Sequence, residues 1–500
     1  MNDGPVSLSL ISHTNAGKTT LARTLLGRDI GEIRDAPHVT VDNTVHSLIS
    51  TAAGDELLLW DTPGFGDSVR LARRLRQQGN PIGWFMGQVW DRFRDRSLWF
   101  SQQAVANVRD QADVVLYLVN AAEEPADAGY LEPELAILEW VGKPVIVLLN
   151  QTGRCRPGDQ EAAEHERWRQ LLAGYRVVHA VLPLDAFARC WVQEITLLRE
   201  VGKALPAGRG PSFARLIGAW QARREGQFEA SMGVLSATLA RAALDVETLP
   251  ETRFKGALRD LGRAIGVGGE EGDDGKARAL QALGSRVDAE LRAALDALIA
   301  IHQLEGHASE ELLRRIARTV TVEAPVNEKK AALMGGALSG ALTGIGVDIA
   351  HAGLTLGAGM LTGAVLGALG GAGIARGVNI ARGRRGTTLR WDDSFLVELV
   401  VSSLLRYLAV AHYGRGRGEW RENEYPAFWP PLVSEAVGAA KDALVASWAA
   451  RDPARETTAI VARLQPVITE IARTILDRLY PGVLDSSVEA PAGEARDQRS

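Results

Sequence analysis

The chain has 500 residues, too many for one compact core, so two to four domains are expected. Its 46% hydrophobic and 23% charged residues are those of a folded protein, and its 56 basic against 61 acidic residues leave a net charge of −5, which excludes nucleic-acid binding by bulk positive charge. Two cysteines, Cys155 and Cys190, exclude a disulfide framework and fit a reducing interior, and the N-terminal residues lack the basic start and apolar run of a signal peptide.

Val6 to Ile11 alternates apolar and polar residues, as a strand does. It runs into SHTNAGKTT, Ser12 to Thr20, which matches a phosphate-binding loop except that Ser12 stands where the first glycine is usual. Thr19 to Leu26 reads as a helix stopped by Gly27. In that setting the backbone of Asn15, Ala16, Gly17, Lys18, Thr19 and Thr20 and the helix N-terminus would hold phosphates. Lys18 would reach the β- and γ-phosphates, and Thr19 would hold Mg²⁺.

An apolar strand from Glu56 then ends in Asp61-Thr62-Pro63-Gly64, the pattern of a nucleotide switch. Asp61 would hold the water on Mg²⁺, and the Gly64 backbone would sense the γ-phosphate. Thr40, in the connection before that strand, is placed to close over Mg²⁺ and the γ-phosphate as a first switch. Two further apolar strands follow, Asp113 to Val119 and Val145 to Leu149, the second ending at Asn150. The order predicts a doubly wound α/β sheet over residues 1–206, with ligands at the strand C-termini.

These motifs resemble the Era/TrmE branch of small bacterial GTPases over about residues 5–205. SHTNAGKT stands for the family's first motif, Pro37 and Thr40 keep two positions of its second, and DTPG is intact. With LWDTPGFGD and LPLDAFARCW, the chain also resembles a bacterial group in which this domain precedes a helical C-terminal region of unknown role. The resemblance implies GTP and GDP as ligands, slow Mg²⁺-dependent hydrolysis, and catalytic roles for Asn15, Lys18, Thr40 and Gly64. Thr19, Thr40 and Asp61 would hold Mg²⁺, and Asn15 would hold a K⁺ ion that adds charge at the phosphates. Self-association through the GTPase domain is implied as well.

Two departures bear on chemistry. The fourth motif reads Asn150-Gln151-Thr152-Gly153, so the aspartate that reads guanine is replaced by Gly153, while Asn150 and Gln151 remain as base contacts. Asp185 is open to two readings, a substitute carboxylate or the cap of the following helix. Phe65 follows DTPG where a water-orienting glutamine would stand.

Residues 68–108 form an aromatic-rich insertion, either a helical hairpin over the sheet edge or a partner surface. Beyond the boundary at ALPAGRGPS, with Ser212 a candidate cap, residues 212–330 are expected to be helical. Leu280, Leu283, Val287, Leu291, Leu295 and Leu298 recur at helical spacing, after an acidic loop at Gly266 to Gly275. Ala331 to Val347 and Ala352 to Ala375 carry no charge and repeat glycine every fourth residue, as at Gly336, Gly340 and Gly344 or Gly359, Gly363 and Gly367. Lys329 and Lys330 precede this stretch and Arg376 and Arg382 follow it.

That pattern fits a glycine-zipper hairpin across a membrane at 331–376, with both ends on the cytoplasmic side of the inner membrane and a lipid or membrane partner. A close-packed soluble pair of helices is the rival reading, which would leave the protein in the cytoplasm. Residues 377–480 read as further helices and 481–500 as a polar, disordered tail. The expected function is a membrane-tethered GTPase switch; one rival is a soluble GTPase in tRNA modification or ribosome assembly, against which the net negative charge and the lack of a visible RNA-binding module weigh, and a second is a nucleotide-binding scaffold with little hydrolysis, which Gly153 and Phe65 would fit.

Overall fold

The computed structural model describes residues 4–13, 16–27, 43–77, 96–150, 158–184, 190–249, 274–304, 378–383, 386–413, 426–449, 451 and 457–483. The chain divides into two compact units, the first made of Met1–Arg224, Gly414–Arg417 and Arg473–Ser500, the second of Glu225–Tyr413 and Gly418–Ala472.

The first unit is built on a six-stranded sheet. In chain order its elements are β1 (Val6–Ser12), α1 (Lys18–Leu26), β2 (Thr44–Ser50), β3 (Glu56–Asp61), α2 (Ser68–Gln77), α3 (Arg96–Gln111), β4 (Val114–Asn120), α4 (Leu131–Val141), β5 (Val145–Asn150), α5 (Gly158–Leu172), β6 (Val178–Pro183) and α6 (Trp191–Ala204). The strands lie in the order β2-β3-β1-β4-β5-β6, parallel throughout except where β2 runs antiparallel to β3. β1 and β5 are buried along their whole length, and β4 along all but its last residue. Helices cover both faces of a parallel sheet, so β4 and β5 read as apolar runs, while β1, equally buried, keeps Ser7 and Ser9. The chain crosses from one side of β1 to the other between β3 and β4. A crevice therefore opens at the carboxyl end of β1, where ligands of such sheets bind.

β2 and β6 extend the sheet beyond the four strands expected from sequence. β2 is an edge strand with mixed exposure, and its antiparallel direction makes the sheet mixed rather than purely parallel. The ends of the insertion are helical, in α2 and α3, while Trp84, Phe85, Trp90 and Phe93 lie outside the described residues. α7 (Gly210–Leu244) follows, and the division between the two units falls inside it. Ser212 does not cap this helix. The helix already begins at Gly210, and the Ser212 hydroxyl donates to the Arg209 carbonyl at 3.0 Å.

The second unit is mainly helical. It contains β7 (Val246–Leu249), α8 (Asp274–Ile301), β8 (Val378–Gly383), β9 (Gly386–Trp391), α9 (Asp393–Ala411), α10 (Trp429–Ala439), α11 (Lys441–Trp448) and the first part of α12 (Thr457–Leu479). Leu283, Val287, Leu291, Leu295 and Leu298 form the buried stripe of α8. An antiparallel sheet in the order β7-β9-β8 adds strands to a region that reads as helical in sequence. Asp392 caps α9 by accepting from the Phe395 amide at 2.8 Å, and Trp391 stacks on Phe395 with ring centroids 3.9 Å apart. Among the described residues, α9 alone is long and apolar enough to cross a membrane, and 56% of its apolar window is buried within the fold. The stretch 331–376 lies outside the described residues, as does most of the expected tail.

In the first unit α6 and α7 are joined by a buried ion pair. Glu194, fully buried on α6, accepts from Arg224 at 2.8 and 2.9 Å and from the Trp220 indole at 2.9 Å. Removing one partner of such a pair strands a buried charge. Arg224→Ala is therefore expected to cost about 3–5 kcal/mol of stability in urea unfolding. A loss under about 1 kcal/mol would place the pair among exposed ones instead.

Candidate functional site

The carboxyl end of β1 turns into α1 through Gly17, whose φ of 90° and ψ of 25° lie in the left-handed region that favours glycine. Ser12 needs no such freedom. It ends β1 in extended backbone and is fully buried, and its hydroxyl accepts from the Lys18 ammonium at 2.9 Å. A serine in place of the usual glycine thus gains a contact to the lysine of the loop. Thr14 and Asn15 lie outside the described residues, as do Thr40, Gln151, Gly153 and Asp185.

Lys18 is buried, and burial pulls its pKa down, opposed by the charges of Asp61 and Glu134. Desolvation disfavours the ammonium, and the two carboxylates restore it. Thr19, one residue on, donates its hydroxyl to Asp61 Oδ2 at 2.8 Å. Burial pushes the Asp61 carboxyl up, while Lys18, the Thr19 hydroxyl and Arg23 counter that rise. Asp61 Oδ1 is buried with no hydrogen-bond partner among the described residues. A hydroxyl and a carboxylate with a free oxygen lobe, held side by side next to a lysine, form the oxygen donor set that Mg²⁺ takes in phosphate sites. The residues present fit the ion.

The DTPG segment folds back on the loop. Thr62 donates its hydroxyl to the Leu10 carbonyl, and the Phe65 amide donates to the Ser12 carbonyl at 2.9 Å. His13 and Phe65 form a parallel bridge. A Cβ on Gly64 would stand 2.7 Å from Lys18 Nζ and 3.1 Å from the Ser12 carbonyl oxygen, so the backbone there packs closely on both the lysine and the loop. The Phe65 side chain is fully buried in the cluster with Ile11, Leu71, Leu98 and Val105. It faces the core and cannot orient a water. The amides of Gly66 and Asp67 donate to Ser101 Oγ on α3 at 3.0 and 3.1 Å.

Asn150, at the end of β5, is also buried and donates its side-chain amide to the Ala16 carbonyl at 2.7 Å. The base-side motif and the phosphate loop are thereby tied together. Of the residues expected from sequence, Ala16, Gly17, Lys18, Thr19, Thr20, Asp61, Gly64 and Asn150 are described, and they gather around the ends of β1, β3 and β5.

A second buried group escaped the sequence reading. Glu134 on α4 has no exposed surface, and its two oxygens meet His13 Nδ1 and the Tyr117 hydroxyl, each at 2.7 Å. His13 stacks on Tyr130, with ring centroids 4.5 Å apart and planes 16° from parallel. In the sequence, Glu134 reads as an acid in the first turn of a helix, a place that suits the helix dipole on any surface.

Strand order, phosphate loop and docked DTPG segment together define a P-loop GTPase domain. Residues 7–151 match the family described as 50S ribosome-binding GTPase, and residues 169–455 match the domain of unknown function DUF3482. The second match covers more than half of the chain, and the protein belongs to the DUF3482 family. GTPase Der of Myxococcus xanthus (strain DK1622) is 27% identical over 180 residues, 35% of this chain and 31% of that protein. GTPase Der of Mycobacterium bovis (strain BCG / Pasteur 1173P2) is 24% identical over 213 residues, 42% of this chain and 38% of the relative. The chain thus spans about a third of the length of these curated relatives. Among solved structures, Era in complex with MgGDPNP and a 16S ribosomal RNA fragment aligns at 17% identity and a TM-score of 0.31, over 41% of this chain and 57% of that one. Aquifex aeolicus Era bound to GDP.AlF4- aligns at 16% identity with the same TM-score, over 59% and 90%.

Gly64→Ala tests the docked geometry. The added methyl would press on the Ser12 carbonyl, which is backbone and cannot swing aside. Hydrolysis is expected to fall at least about tenfold if this backbone is displaced from where it would meet a γ-phosphate, while GDP affinity stays within about threefold. Stopped-flow binding and phosphate release read the two separately.

Proposed function

We propose that this protein binds GTP with Mg²⁺ and hydrolyses it slowly as a molecular switch, held at the cytoplasmic face of the inner membrane. The observation that carries the nucleotide reading is the set of Lys18, Thr19 and Asp61, converging at the end of β1 beside the docked Gly64. Lys18 is pre-placed to trade its Ser12 contact for phosphate oxygens. Thr19 and Asp61 would hold Mg²⁺, and the ion would supply charge neutralisation at the β- and γ-phosphates. Thr40 completes the metal side, and the amides from Asn15 to Thr20 cradle the phosphates. Asn150 and Gln151 contact the base, with guanine preference lowered by Gly153. Asn15 holds a K⁺ ion that supplies positive charge where no glutamine acts. The GTPase domain self-associates in this reading.

The membrane part of the reading rests on sequence. Two uncharged runs, glycine at four-residue spacing and basic residues at both outer ends support a hairpin at 331–376. A second reading is a soluble GTPase acting in ribosome assembly or tRNA modification; its ribosome arm draws support from the ribosome-binding GTPase family that residues 7–151 match.

Lys18→Ala is expected to lower GTP affinity at least about a hundredfold, since a charge-assisted phosphate contact is lost from a water-poor site. Equal affinity in wild type and variant, by titration with a fluorescent GTP analogue, would sink the assignment. The same titration with ATP and XTP reports how far Gly153 relaxes base choice. Hydrolysis is expected to run faster in K⁺ than in Na⁺, with Asn15→Ala removing the difference; identical rates in both salts dismiss the cation role.

Alkaline carbonate extraction separates the two locations. A spanning hairpin keeps the full chain in the membrane pellet. Recovery entirely in the soluble fraction moves the ribosome or tRNA reading ahead.

A further inference from the structure

We propose that the outer face of α2 is a contact surface for anionic lipid headgroups, which lays the GTPase domain on the membrane that holds the chain. The inference rests on the membrane reading above. α2 (SVRLARRLRQ) carries four arginines and no acid in ten residues, in a chain whose net charge is −5. Ser68, Leu71, Ala72 and Leu75 recur at helical spacing and are buried, which turns the opposite side of the helix outward. That side presents Arg70, Arg73 and Arg76, all exposed, with Arg74 half-buried at its margin. Val69 lies on the same face, one turn before Arg73. At 53% exposure it is the most exposed large apolar side chain among the described residues.

Acids meet α2 at its two ends. Asp67 accepts from the Arg70 amide at 3.0 Å, and Glu132 on α4 pairs with Arg76 at 2.8 Å. Both side chains of the second pair are exposed, so water screens it and a phosphate can take the place of Glu132. Like charges three and four residues apart on a helix repel, as Arg70 does Arg73 and Arg74, and as Arg73 does Arg76. A layer of phosphates relieves that repulsion, and each guanidinium fork suits a pair of phosphate oxygens.

Val69 decides between two kinds of polyanion. A nucleic-acid backbone gains nothing from an apolar side chain set among the arginines, whereas a headgroup layer can bury it toward the acyl boundary. The hairpin proposed at 331–376 tethers the domain to a leaflet whose anionic lipids attract nearby arginines. The tether supplies the local concentration that so small a patch needs.

The test footprints the arginines of the wild-type, full-length protein with phenylglyoxal, which modifies accessible guanidinium groups, and reads each site by peptide mass spectrometry. The protein is reconstituted in vesicles of phosphatidylcholine alone or of phosphatidylcholine with phosphatidylglycerol. Modification of Arg70, Arg73 and Arg76 is expected to be at least about fivefold slower in the anionic vesicles, the factor that headgroup attraction of about 1 kcal/mol per arginine sets. High salt is expected to restore it. Arg167 and Arg169 on α5 are exposed as well and are expected to react alike in both vesicles. Val69→Glu, a change at an exposed position that sets a like charge against the headgroups, is expected to remove most of the protection.

Equal rates at α2 in the two vesicles overturn the proposal, as does equal protection of Arg167 and Arg169 or full protection in Val69→Glu. Protection by a short RNA, with none from the anionic lipid, assigns the face to nucleic acid and overturns it too. If carbonate releases the whole chain from membranes, the membrane reading fails and this inference with it. Retention in the pellet with α2 unprotected removes this inference alone.

Discussion

A lysine ammonium buried at the end of the central strand is the constraint on which this site depends. Taking Lys18 out of water disfavours its charge, so the fold must supply compensation before any ligand arrives. It does so with the carboxylates of Asp61 and Glu134 and the hydroxyl of Ser12. Each comes from a different element: β3, α4 and β1. Asp61 must end β3 because the parallel register sets it level with Leu10, two residues short of the loop. Gly64 sits where an added Cβ would press on the Ser12 carbonyl and reach the same ammonium. The switch motif is thus placed by the need to neutralise and cover one cation.

The family match and the structural units do not share a boundary. The DUF3482 match begins at residue 169, within α5, and so takes in β6, which pairs with β5 and completes the sheet. Within the first unit α7 is also fastened to the β2–β3 hairpin, the strands that lie between the two switch segments. Arg215 forks onto Asp55 with two bonds of 2.7 Å, and Arg223, stacked on Trp220, donates to the Leu48 carbonyl at 3.2 Å. Arg215 and Thr51 hold the Asp55 carboxyl down to about 2. The clamp is accordingly intact at neutral pH, and its contribution fades only as pH falls from the ordinary carboxylate range through about 2. The region of unknown function thus begins as part of the GTPase domain and grips the hairpin that a switch would move.

Much of this arrangement was legible in the sequence, and the physical reason is plain for each part. β4 and β5 announce themselves as apolar runs because inner strands of a parallel sheet are covered on both faces, while β1 is legible as an alternation of apolar residues and serines and β3 as an apolar run into DTPG. SHTNAGKTT and DTPG are legible because phosphate and Mg²⁺ chemistry demands fixed residue types at fixed spacing. β2 was missed because an edge strand is half exposed and carries histidine and serine among its apolar residues. β7, β8 and β9 were missed because they are short, and β7 finds its partner β9 only across a long stretch of chain. The His13–Glu134–Tyr117 group was invisible for a different reason. Nothing local distinguishes a buried acid from one in the first turn of a solvated helix, and only the meeting of α4, β4 and the loop reveals it.

The burial of Phe65 carries the argument about catalysis one step further. In a switch whose catalytic glutamine follows the DTPG glycine, that side chain must be free to turn toward the attacking water. Here the position is a core residue, fastened by Ile11, Leu71 and Leu98 and by its amide on Ser12. The loop just beyond it is held in turn by Ser101 on α3. A segment so anchored could offer backbone to a γ-phosphate through Gly64 but no movable side chain. The charge that builds during phosphoryl transfer must then be met by groups of the phosphate loop itself, by a bound cation, or by a second protein. The first two of these depend on where the loop backbone is held. In this molecule the start of the loop is held through His13, whose contacts lead to Glu134 on α4 and from there to Tyr117 on β4.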